Sequence, residues 1–197
     1  MNSKTFYVRF LLHLRGITVA LWRVTPKFLS KFLLRFLRNG TSIISYGFRY
    51  LAIYRLAKFC GEKVIVFPGV YLKNISNLEI GTNVSIHEMS YIDAYGGIKI
   101  GDNVAISHGV SMISFDHDIY SSKTTYKDAN PVIGRIIIKD NVWIGAGAKI
   151  LKNVTIEKDC VIAAGSLVNK SCEEKNIMGG IPAVSIKKIV QIHDIVE

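Results

Sequence analysis

The sequence predicts a mainly β protein that winds as a three-sided coil and carries a helical region at its N-terminus. Three observations predict this fold class: an aliphatic residue recurs at every sixth position, with few interruptions, between residues 66 and 168; turn-forming residues stand between the repeats; and residues 1–60 follow a different, helical pattern. A period of six fits neither an amphipathic helix, with a period of 3.6, nor a half-buried strand, with a period of 2.0. It fits short extended segments separated by turns, three segments to each turn of a triangular coil.

The six-residue repeat places an aliphatic residue at sixteen positions in four phased series. The phase slips by two residues at LEI (78–80), IKI (98–100) and III (136–138), and we expect these slips at corners. Pairs such as Asp140-Asn141 and Lys152-Asn153 supply the backbone freedom and local hydrogen bonds that corners need. An ordinary β-sandwich with coincidental spacing is the alternative. The series are Val66, Leu72 and Leu78; Ile80, Ile86, Ile92 and Ile98; Ile100, Ile106 and Met112; and Ile138, Ile144, Ile150, Ile156, Ile162 and Val168.

The positive charge of the chain is confined to its N-terminal region. Residues 1–60 hold eleven of the 25 Lys and Arg residues and no Asp or Glu, so the other 137 residues carry 14 basic and 15 acidic side chains. Thr25 as N-cap, Pro26 as first helical residue and Asn39-Gly40 as stop predict an amphipathic helix, one of two or three. Its predicted apolar stripe is Phe28, Leu29, Phe32, Leu33, Phe36 and Leu37, flanked by Lys27, Lys31 and Arg35.

This basic helical region has two interpretations. Its aromatic stripe either packs on the first turn of the coil and caps its open end, or lies on an anionic membrane surface. A nucleic acid would also be attracted to this positive charge. The segment contains no recognised nucleic-acid-binding motif, so we expect no nucleic-acid partner.

The remaining global features indicate the cytoplasm. Cys60, Cys160 and Cys172 are odd in number and show no metal-ligand spacing, which favours a reducing compartment. No apolar run reaches the length of about 18 residues that a membrane span needs, and no signal-peptide pattern is present. We expect a cytoplasmic protein that, on the membrane interpretation, is peripheral on the inner face of the cytoplasmic membrane.

The run NVWIGAGAKILKNVTIEKDCVIAAGSLVNK, followed by GGIPAVSIKKI, resembles the hexapeptide-repeat acyltransferases, among them maltose/galactoside and capsule or exopolysaccharide O-acetyltransferases. The resemblance implies a left-handed parallel β-helix, acetyl-CoA as cosubstrate, no metal, and a homotrimer with its sites in grooves between subunits. The predicted organisation is a basic helical region at residues 1–63, a β-helix at 64–190 with an excursion loop at 113–137, and a tail at 191–197.

The excursion loop contains Asp116-His117-Asp118, an imidazole between two carboxylates. A hydroxyl that attacks a thioester needs a base, and a neutral histidine can accept its proton. His117 also matches the general base of the family. Its tautomer could be fixed by Asp116, by Asp118 or by a backbone carbonyl. A zinc site built from His87, His108 and His117 is the alternative, but these residues lack the close histidine pair of the zinc enzymes with this fold.

The resemblance also assigns binding roles. His87, where related enzymes commonly carry Asn, would contact the acceptor together with Asp93, Asp116 and Trp143; Trp143 could instead pack against a neighbouring subunit. The amide of Ala146 would face the oxyanion. The pantetheine arm of acetyl-CoA would follow Gly145, Ala146, Gly147, Ala164 and Gly165, and its phosphates would meet Lys170 and either Lys187 or Lys188.

These residues predict an acetyl-CoA-dependent O-acetyltransferase that acts on a sugar hydroxyl of a capsular, exopolysaccharide or lipid-linked glycan. One alternative is an acetyltransferase for a free small acceptor, such as a sugar, an antibiotic or serine. The other is a noncatalytic β-helix scaffold.

Overall fold

A computed structural model describes residues 22–120, 125 and 127–189. In this part, two helices, α1 (Lys27–Phe36) and α2 (Ile43–Leu56), precede nineteen short strands, and one 3-10 turn (Ile75–Asn77) interrupts them. The helical patterns predicted ahead of residue 22 and the tail at 191–197 lie outside the described residues. None of the described helices is long and apolar enough to cross a bilayer.

Seventeen of the strands form three sheets, which the chain visits in turn. Sheet A contains β1 (Phe59–Cys60), β4 (Leu78–Ile80), β7 (Ile98–Ile100), β12 (Ile136–Ile138) and β15 (Thr155–Ile156). Sheet B contains β2 (Ile65–Val66), β5 (Ser85–Ile86), β8 (Ala105–Ile106), β13 (Trp143–Ile144), β16 (Val161–Ile162), β18 (Asn176–Gly180) and β19 (Ala183–Lys188). Sheet C contains β3 (Tyr71–Lys73), β6 (Tyr91–Asp93), β9 (Ser111–Ile113), β14 (Lys149–Ile150) and β17 (Leu167–Val168). The remaining pair, β10 (Phe115–His117) and β11 (Pro131–Ile133), forms a separate hairpin.

The predicted three-sided coil is confirmed. Within the three sheets every strand pairs in parallel with the strand one turn away, except that β19 folds back antiparallel on β18. The coil starts at Phe59 rather than at residue 64, because β1 already pairs with β4. The closing segment that follows Pro182 is the strand β19.

The interior consists of stacked aliphatic side chains. Ile80, Ile100 and Ile138 pair in register along sheet A, and all are at most 1% exposed. Of the sixteen predicted core positions, fifteen are buried, and Leu72, in the first turn of the coil, is partly buried. Because burial of one Val or Ile contributes about 1.5–3 kcal/mol, this interior is the main source of stability.

The sequence suggested that the phase slips lie at corners, and this prediction is wrong. They fall within β4, β7 and β12, whose first and third residues are buried while the middle residue is more exposed. A strand of three residues therefore places two aliphatic side chains inward, two positions apart, as alternation along a strand requires.

The corners between sheets use residues that tolerate a left-handed backbone. At each corner between sheets A and B one residue has a positive φ angle, and in four of the turns it is Asn or Asp. Asn83 Nδ2 also donates to Asn103 Oδ1 of the next turn at 2.8 Å. Between sheets B and C the residue with a positive φ angle is glycine in four turns and Met89 in the fifth. The A–B residues are Lys63, Asn83, Asn103, Asn141, Asp159 and Lys175, and the B–C glycines are Gly69, Gly109, Gly147 and Gly165.

The helices pack against the first turn of the coil, and Arg49 of α2 fastens them there. Its side chain is 1% exposed; Nε donates to the carbonyl oxygen of Val66 at 2.9 Å, and Nη1 donates to those of Leu37 and Gly40 at 2.8 and 2.7 Å. One cation therefore binds carbonyl groups from the end of α1, the following turn and β2.

The bounds and the faces of α1 differ from the prediction. Thr25 is not the N-cap, because its hydroxyl donates to the carbonyl oxygen of Trp22, and α1 ends at Phe36, before Asn39-Gly40. The predicted apolar stripe is divided: the leucines are partly buried, whereas the three phenylalanines point to solvent. The side of α1 that carries Ser30 and Leu34 is the most buried. The protein therefore packs against the side of α1 that lies opposite the three phenylalanines.

Candidate active site

The excursion loop begins and ends as a hairpin that leaves the coil at the corner between sheets C and A. Strands β10 and β11 pair antiparallel, with Phe115 opposite Ile133 and His117 opposite Pro131. At its base, the amide of Gly134 donates to the carbonyl oxygen of Ser114 at 2.9 Å. The hairpin stem therefore holds His117 at a defined position beside the coil.

The imidazole of His117 is oriented by the opposite side of the hairpin. Its Nδ1 lies 3.1 Å from the carbonyl oxygen of Ala129. A carbonyl oxygen can only accept, so the neutral ring carries its proton on Nδ1 and keeps a lone pair on Nε2. Of the three partners left open by the sequence, the structure selects the backbone carbonyl.

The two carboxylates beside His117 bind backbone amides. Asp116 Oδ1 accepts from the amide of His117 at 2.8 Å, and Asp118 Oδ1 accepts from the amide of Tyr120 at 3.0 Å. Both shape the hairpin, and neither contacts the imidazole. A contact between Asp116 and the acceptor stays a prediction.

Two aromatic residues that the sequence did not predict extend from the imidazole: Phe115 lies next to it, and Tyr95 lies next to Phe115. The ring centroid of Phe115 is 6.2 Å from that of His117, and Tyr95 lies 5.3 Å from Phe115 with its ring nearly half exposed. The position of Phe115 two residues before His117 is the signal that could have found it, because residues i and i+2 share one face of a strand.

His87 lies at the corner between sheets B and C in an aromatic column. Its ring stacks on Phe67 with centroids 4.3 Å apart and an angle of 11°, and Tyr46 of α2 meets Phe67 edge-on at 5.6 Å. The imidazole is partly exposed, and its Nδ1 lies 3.8 Å from Glu88 Oε2. His87 thus has a packing role, while part of its ring stays accessible to an acceptor.

Asp93 is buried in this structure, and its contact with the acceptor stays a prediction. The residue is 1% exposed; Oδ1 accepts from Asn74 Nδ2 at 2.6 Å, and Oδ2 lies 3.4 Å from Lys73 Nζ and 3.5 Å from the Tyr91 hydroxyl. Both carboxylate oxygens are therefore engaged by side chains of the protein itself, on sheet C and just after β3.

Trp143 projects from the outer surface of sheet B with 54% of its surface exposed. Its Nε1 donates to Ser107 Oγ at 3.1 Å, which fixes the indole across the neighbouring strand. The ring borders a shallow groove of about 290 Å³, whose other lining includes Ala105, Val161 and Ile189. This position is compatible with both predictions, an acceptor wall and a contact with another subunit.

Two amides at the corner between sheets B and C are available to a ligand. The N–H groups of Ala146 and Ala164, one turn apart, donate to no acceptor in the described part of the chain. Their neighbours take part in the axial ladder: Gly147 donates to His108, and Gly165 to Ala146.

The three glycines around these amides have different structural roles. A Cβ on Gly145 would lie 2.6 Å from the amide nitrogen of Ala164, so this glycine is needed for the stacking of successive turns. Gly147 and Gly165 have φ angles of 68° and 70°, and nothing lies within 4 Å of a Cβ built on either. Only the latter two leave open space beside the free amides.

The predicted phosphate-binding lysines lie at the C-terminal end of the coil. Lys170 follows β17, whereas Lys187 and Lys188 belong to β19, and all three are exposed. Lys188 Nζ lies 3.7 Å from Glu173 Oε2, a contact between two exposed groups. The structure does not show the three side chains meeting at one point.

The candidate residues are distributed over two corners of the coil. His87 and Ala146 share the corner between sheets B and C, whereas the hairpin that carries His117 leaves at the corner between sheets C and A. Within one chain, the width of sheet C separates the imidazole from the free amides. Among the described residues, no three His, Cys, Asp or Glu side chains come together as a metal site would need.

Known proteins with similar sequences and structures share this coil. A sequence profile for "Bacterial transferase hexapeptide (six repeats)" matches residues 135–170. The galactoside O-acetyltransferase of Escherichia coli K12 is 34% identical over 130 residues, which are 66% of this chain and 63% of that protein. A putative acetyltransferase of Saccharomyces cerevisiae is 35% identical over 135 residues, 67% of this chain and 66% of that protein. This chain therefore spans slightly less than two thirds of either relative.

Solved structures match over more of the chain. A maltose O-acetyltransferase from Clostridium difficile 630 superimposes with a TM-score of 0.75 at 28% identity, covering 86% of this chain and 89% of that one. A galactoside acetyltransferase in complex with coenzyme A gives a TM-score of 0.74 at 28% identity, covering 83% and 80%. The coil, the profile and these matches together show that the chain has a hexapeptide-repeat parallel β-helix of the kind found in these acetyltransferases.

Proposed function

We propose that this chain is an acetyl-CoA-dependent O-acetyltransferase that acts on a sugar hydroxyl, with His117 as general base. The observation that carries the proposal is the hydrogen bond from His117 Nδ1 to Ala129, because it leaves Nε2 free to accept a proton. The names of the relatives, galactoside and maltose O-acetyltransferases, support the reaction class and the kind of acceptor.

In the proposed reaction, the acceptor hydroxyl attacks the thioester carbonyl while its proton moves to His117 Nε2. The new C–O bond forms, and the negative charge on the carbonyl oxygen is stabilised by the amide of Ala146. Breakage of the C–S bond then releases the thiolate of coenzyme A, which takes the proton from Nε2. The imidazole returns to its starting tautomer, and no group is oxidised or reduced.

The corner between sheets B and C fits the acetyl-CoA that this reaction needs. Free amides at Ala146 and Ala164 can donate to carbonyl groups, and the open space beside Gly147 and Gly165 admits a narrow chain. Lys170, Lys187 and Lys188 are the cations that would meet the phosphates.

We also propose that the active enzyme is a homotrimer. His117 and Ala146 lie at different corners of one chain, so a groove between two chains is the arrangement that brings the base of one to the free amide of the other. Trp143, exposed beside Ala105 and Val161, lies on a sheet that such a groove could use.

The finer part of the proposal concerns the acceptor, a capsular, exopolysaccharide or lipid-linked glycan at the inner face of the cytoplasmic membrane. It is supported by the confinement of the excess positive charge to residues 1–60, because Lys and Arg are attracted to anionic lipid and would bring the enzyme to an acceptor at the membrane surface.

Release of free thiol from acetyl-CoA, measured with a panel of mono- and oligosaccharides, serine and amino sugars, tests the activity. His117→Ala should lower turnover by roughly 10²–10⁴-fold, without loss of acetyl-CoA binding. Asp118→Asn is the matched control, since the one recorded partner of its carboxylate among the described residues is the Tyr120 amide, and turnover should stay near the parent level. Unchanged turnover in His117→Ala refutes the role of His117 as general base. Thiol release with serine alone refutes a sugar as the acceptor. If no acceptor in the panel released thiol, the chain would be a scaffold.

Subunit complementation tests the shared site. His117→Ala lacks the base, and Ala146→Pro lacks the amide hydrogen, so each variant alone should be inactive. When the two are unfolded together and refolded, some grooves combine an intact His117 from one chain with an intact Ala146 from the other. Recovered activity supports the intersubunit site, and its absence, with both variants folded and trimeric, places the site within one chain.

A further inference from the structure

The outer face of α1 carries two parallel ridges, one aromatic and one cationic. Phe28, Phe32 and Phe36 follow each other at four-residue spacing and are 73%, 59% and 74% exposed. Lys27, Lys31 and Arg35 precede them by one residue each and are also exposed. Residues four apart on a helix are neighbours on its surface, so each ridge is continuous.

Nothing in the described part of the chain covers the aromatic ridge. The opposite side of α1, with Ser30 and Leu34, faces the protein, and the rings of Phe32 and Phe36 stack on each other at 5.7 Å. Three exposed phenylalanines on a helix of ten residues form a concentrated apolar surface, and exposed patches of this kind mark contacts with other molecules.

The charges beside the ridge specify what would cover it. None of Lys27, Lys31 and Arg35 forms an ion pair within the described residues, and the sequence has no Asp or Glu before Cys60. A second copy of α1 would bring three more cations against these three, which is unfavourable. An anionic lipid surface offers acyl chains to the rings and phosphates to the adjacent cations, whose long side chains reach the headgroup level.

We propose that α1 docks on anionic membranes, with Phe28, Phe32 and Phe36 inserted at the interface and with Lys27, Lys31 and Arg35 on lipid phosphates. Because Arg49 bonds to the carbonyl of Leu37 just after α1, to that of Gly40 and to that of Val66 in β2, the docked helix would hold the coil at the membrane. The helix lies in the plane of the surface and does not span it. This docking goes beyond the proposed acetyl transfer and requires none of its residues.

Flotation of the full chain with vesicles tests the docking. The parent protein should float with vesicles of phosphatidylcholine containing phosphatidylglycerol, less so at high salt, and not with phosphatidylcholine alone. Replacement of the three phenylalanines by serine should lower the partition coefficient by at least about tenfold. Replacement of Lys27, Lys31 and Arg35 by glutamine should lower it by about a hundredfold, since each cation contributes about fivefold.

Matched controls come from the coil. Phe59→Ser removes an exposed phenylalanine of sheet A, and the triple variant of Lys99, Lys139 and Lys149 to glutamine removes three exposed cations; both should float like the parent. His117→Ala should also float like the parent, which separates the docking from the proposed catalysis.

Several outcomes would overturn the docking. These are no flotation of the parent, equal flotation with neutral vesicles, or flotation of either α1 variant at the parent level. A parent protein that stays in solution and loses a larger assembly on removal of the phenylalanines would show that a second copy covers the ridge instead.

Discussion

His117 Nδ1 and the carbonyl oxygen of Ala129 lie 3.1 Å apart across the hairpin. The acceptor belongs to the backbone, so the orientation of the imidazole depends on the fold of the hairpin and on no carboxylate in the part of the chain that the structure describes. A neutral histidine side chain in water prefers the proton on Nε2, so the hairpin enforces the less common tautomer.

The tautomer of His117 is the first prediction. With the ring neutral, its ¹⁵N spectrum should show a protonated Nδ1 and an unprotonated Nε2, because the Ala129 carbonyl can only accept. The signals are assigned by their loss in His117→Ala. A protonated Nε2 in the resting enzyme would contradict both the hydrogen bond and the proposed base.

His87 provides a second prediction, in which packing and binding can be separated. His87→Phe should keep the stack on Phe67 and the stability of the parent, whereas His87→Ala loses an aromatic pair worth about 0.5–1.5 kcal/mol. If the imidazole binds the acceptor, both variants should raise the KM for the acceptor and leave the KM for acetyl-CoA unchanged. A normal acceptor KM in His87→Phe would leave His87 with a packing role alone.

Two glycines of one corner should respond differently to the same change. Gly145→Ala puts a methyl group 2.6 Å from the Ala164 amide nitrogen, a backbone atom, so we expect a loss of about 3 kcal/mol or more in the free energy of unfolding. Gly147→Ala meets no atom and carries only the strain of a left-handed backbone, about 1–2 kcal/mol. Urea unfolding at one fixed protein concentration measures both, and an equal loss in the two would show that the turns do not stack as closely as described.

The sequence predicted the coil well because its signal is periodic and local. Each buried aliphatic residue repeats the environment of the residue one turn away, so the spacing alone identified fifteen buried positions. The phase slips were predicted at corners but lie within β4, β7 and β12. The repeat shows which residues point inward, but it does not show where the chain bends, because the corner residues follow no equally strict spacing.

The site was predicted less completely, since its contacts join distant parts of the chain. The Ala129 carbonyl meets His117 only through the antiparallel register of the hairpin, which no residue pattern states. The column of Phe67 and His87 could have been found, because the two residues are one turn apart at the same corner. On α1, the helical period located a broad apolar arc but could not tell that the protein covers only its leucine side.

The last prediction concerns pH and the ion pairs of Glu79. Its carboxylate accepts from Lys58 Nζ at 2.8 Å and from Arg135 Nη2 at 2.9 Å on the outer surface of sheet A. The hydrogen bond from Lys58, assisted by the charges of Lys58, Arg135 and Lys99, lowers the pKa of Glu79 below its ordinary value. In the unfolded chain the pKa returns to about 4.3.

A carboxylate with a lowered pKa in the folded state stabilises the fold above the unfolded pKa, and this contribution is lost as the pH falls through the folded pKa. Glu79→Gln should therefore lower the Tm at neutral pH and show a smaller fall in Tm than the parent as the pH is lowered from about 5 to about 3. Glu174→Gln is the matched control: its pair with Lys158 is exposed on both sides at 3.5 Å, so its removal should change little. If Glu79→Gln and the parent lose stability in parallel over this range, the ionised carboxylate of Glu79 does not hold Lys58 and Arg135 in the folded protein.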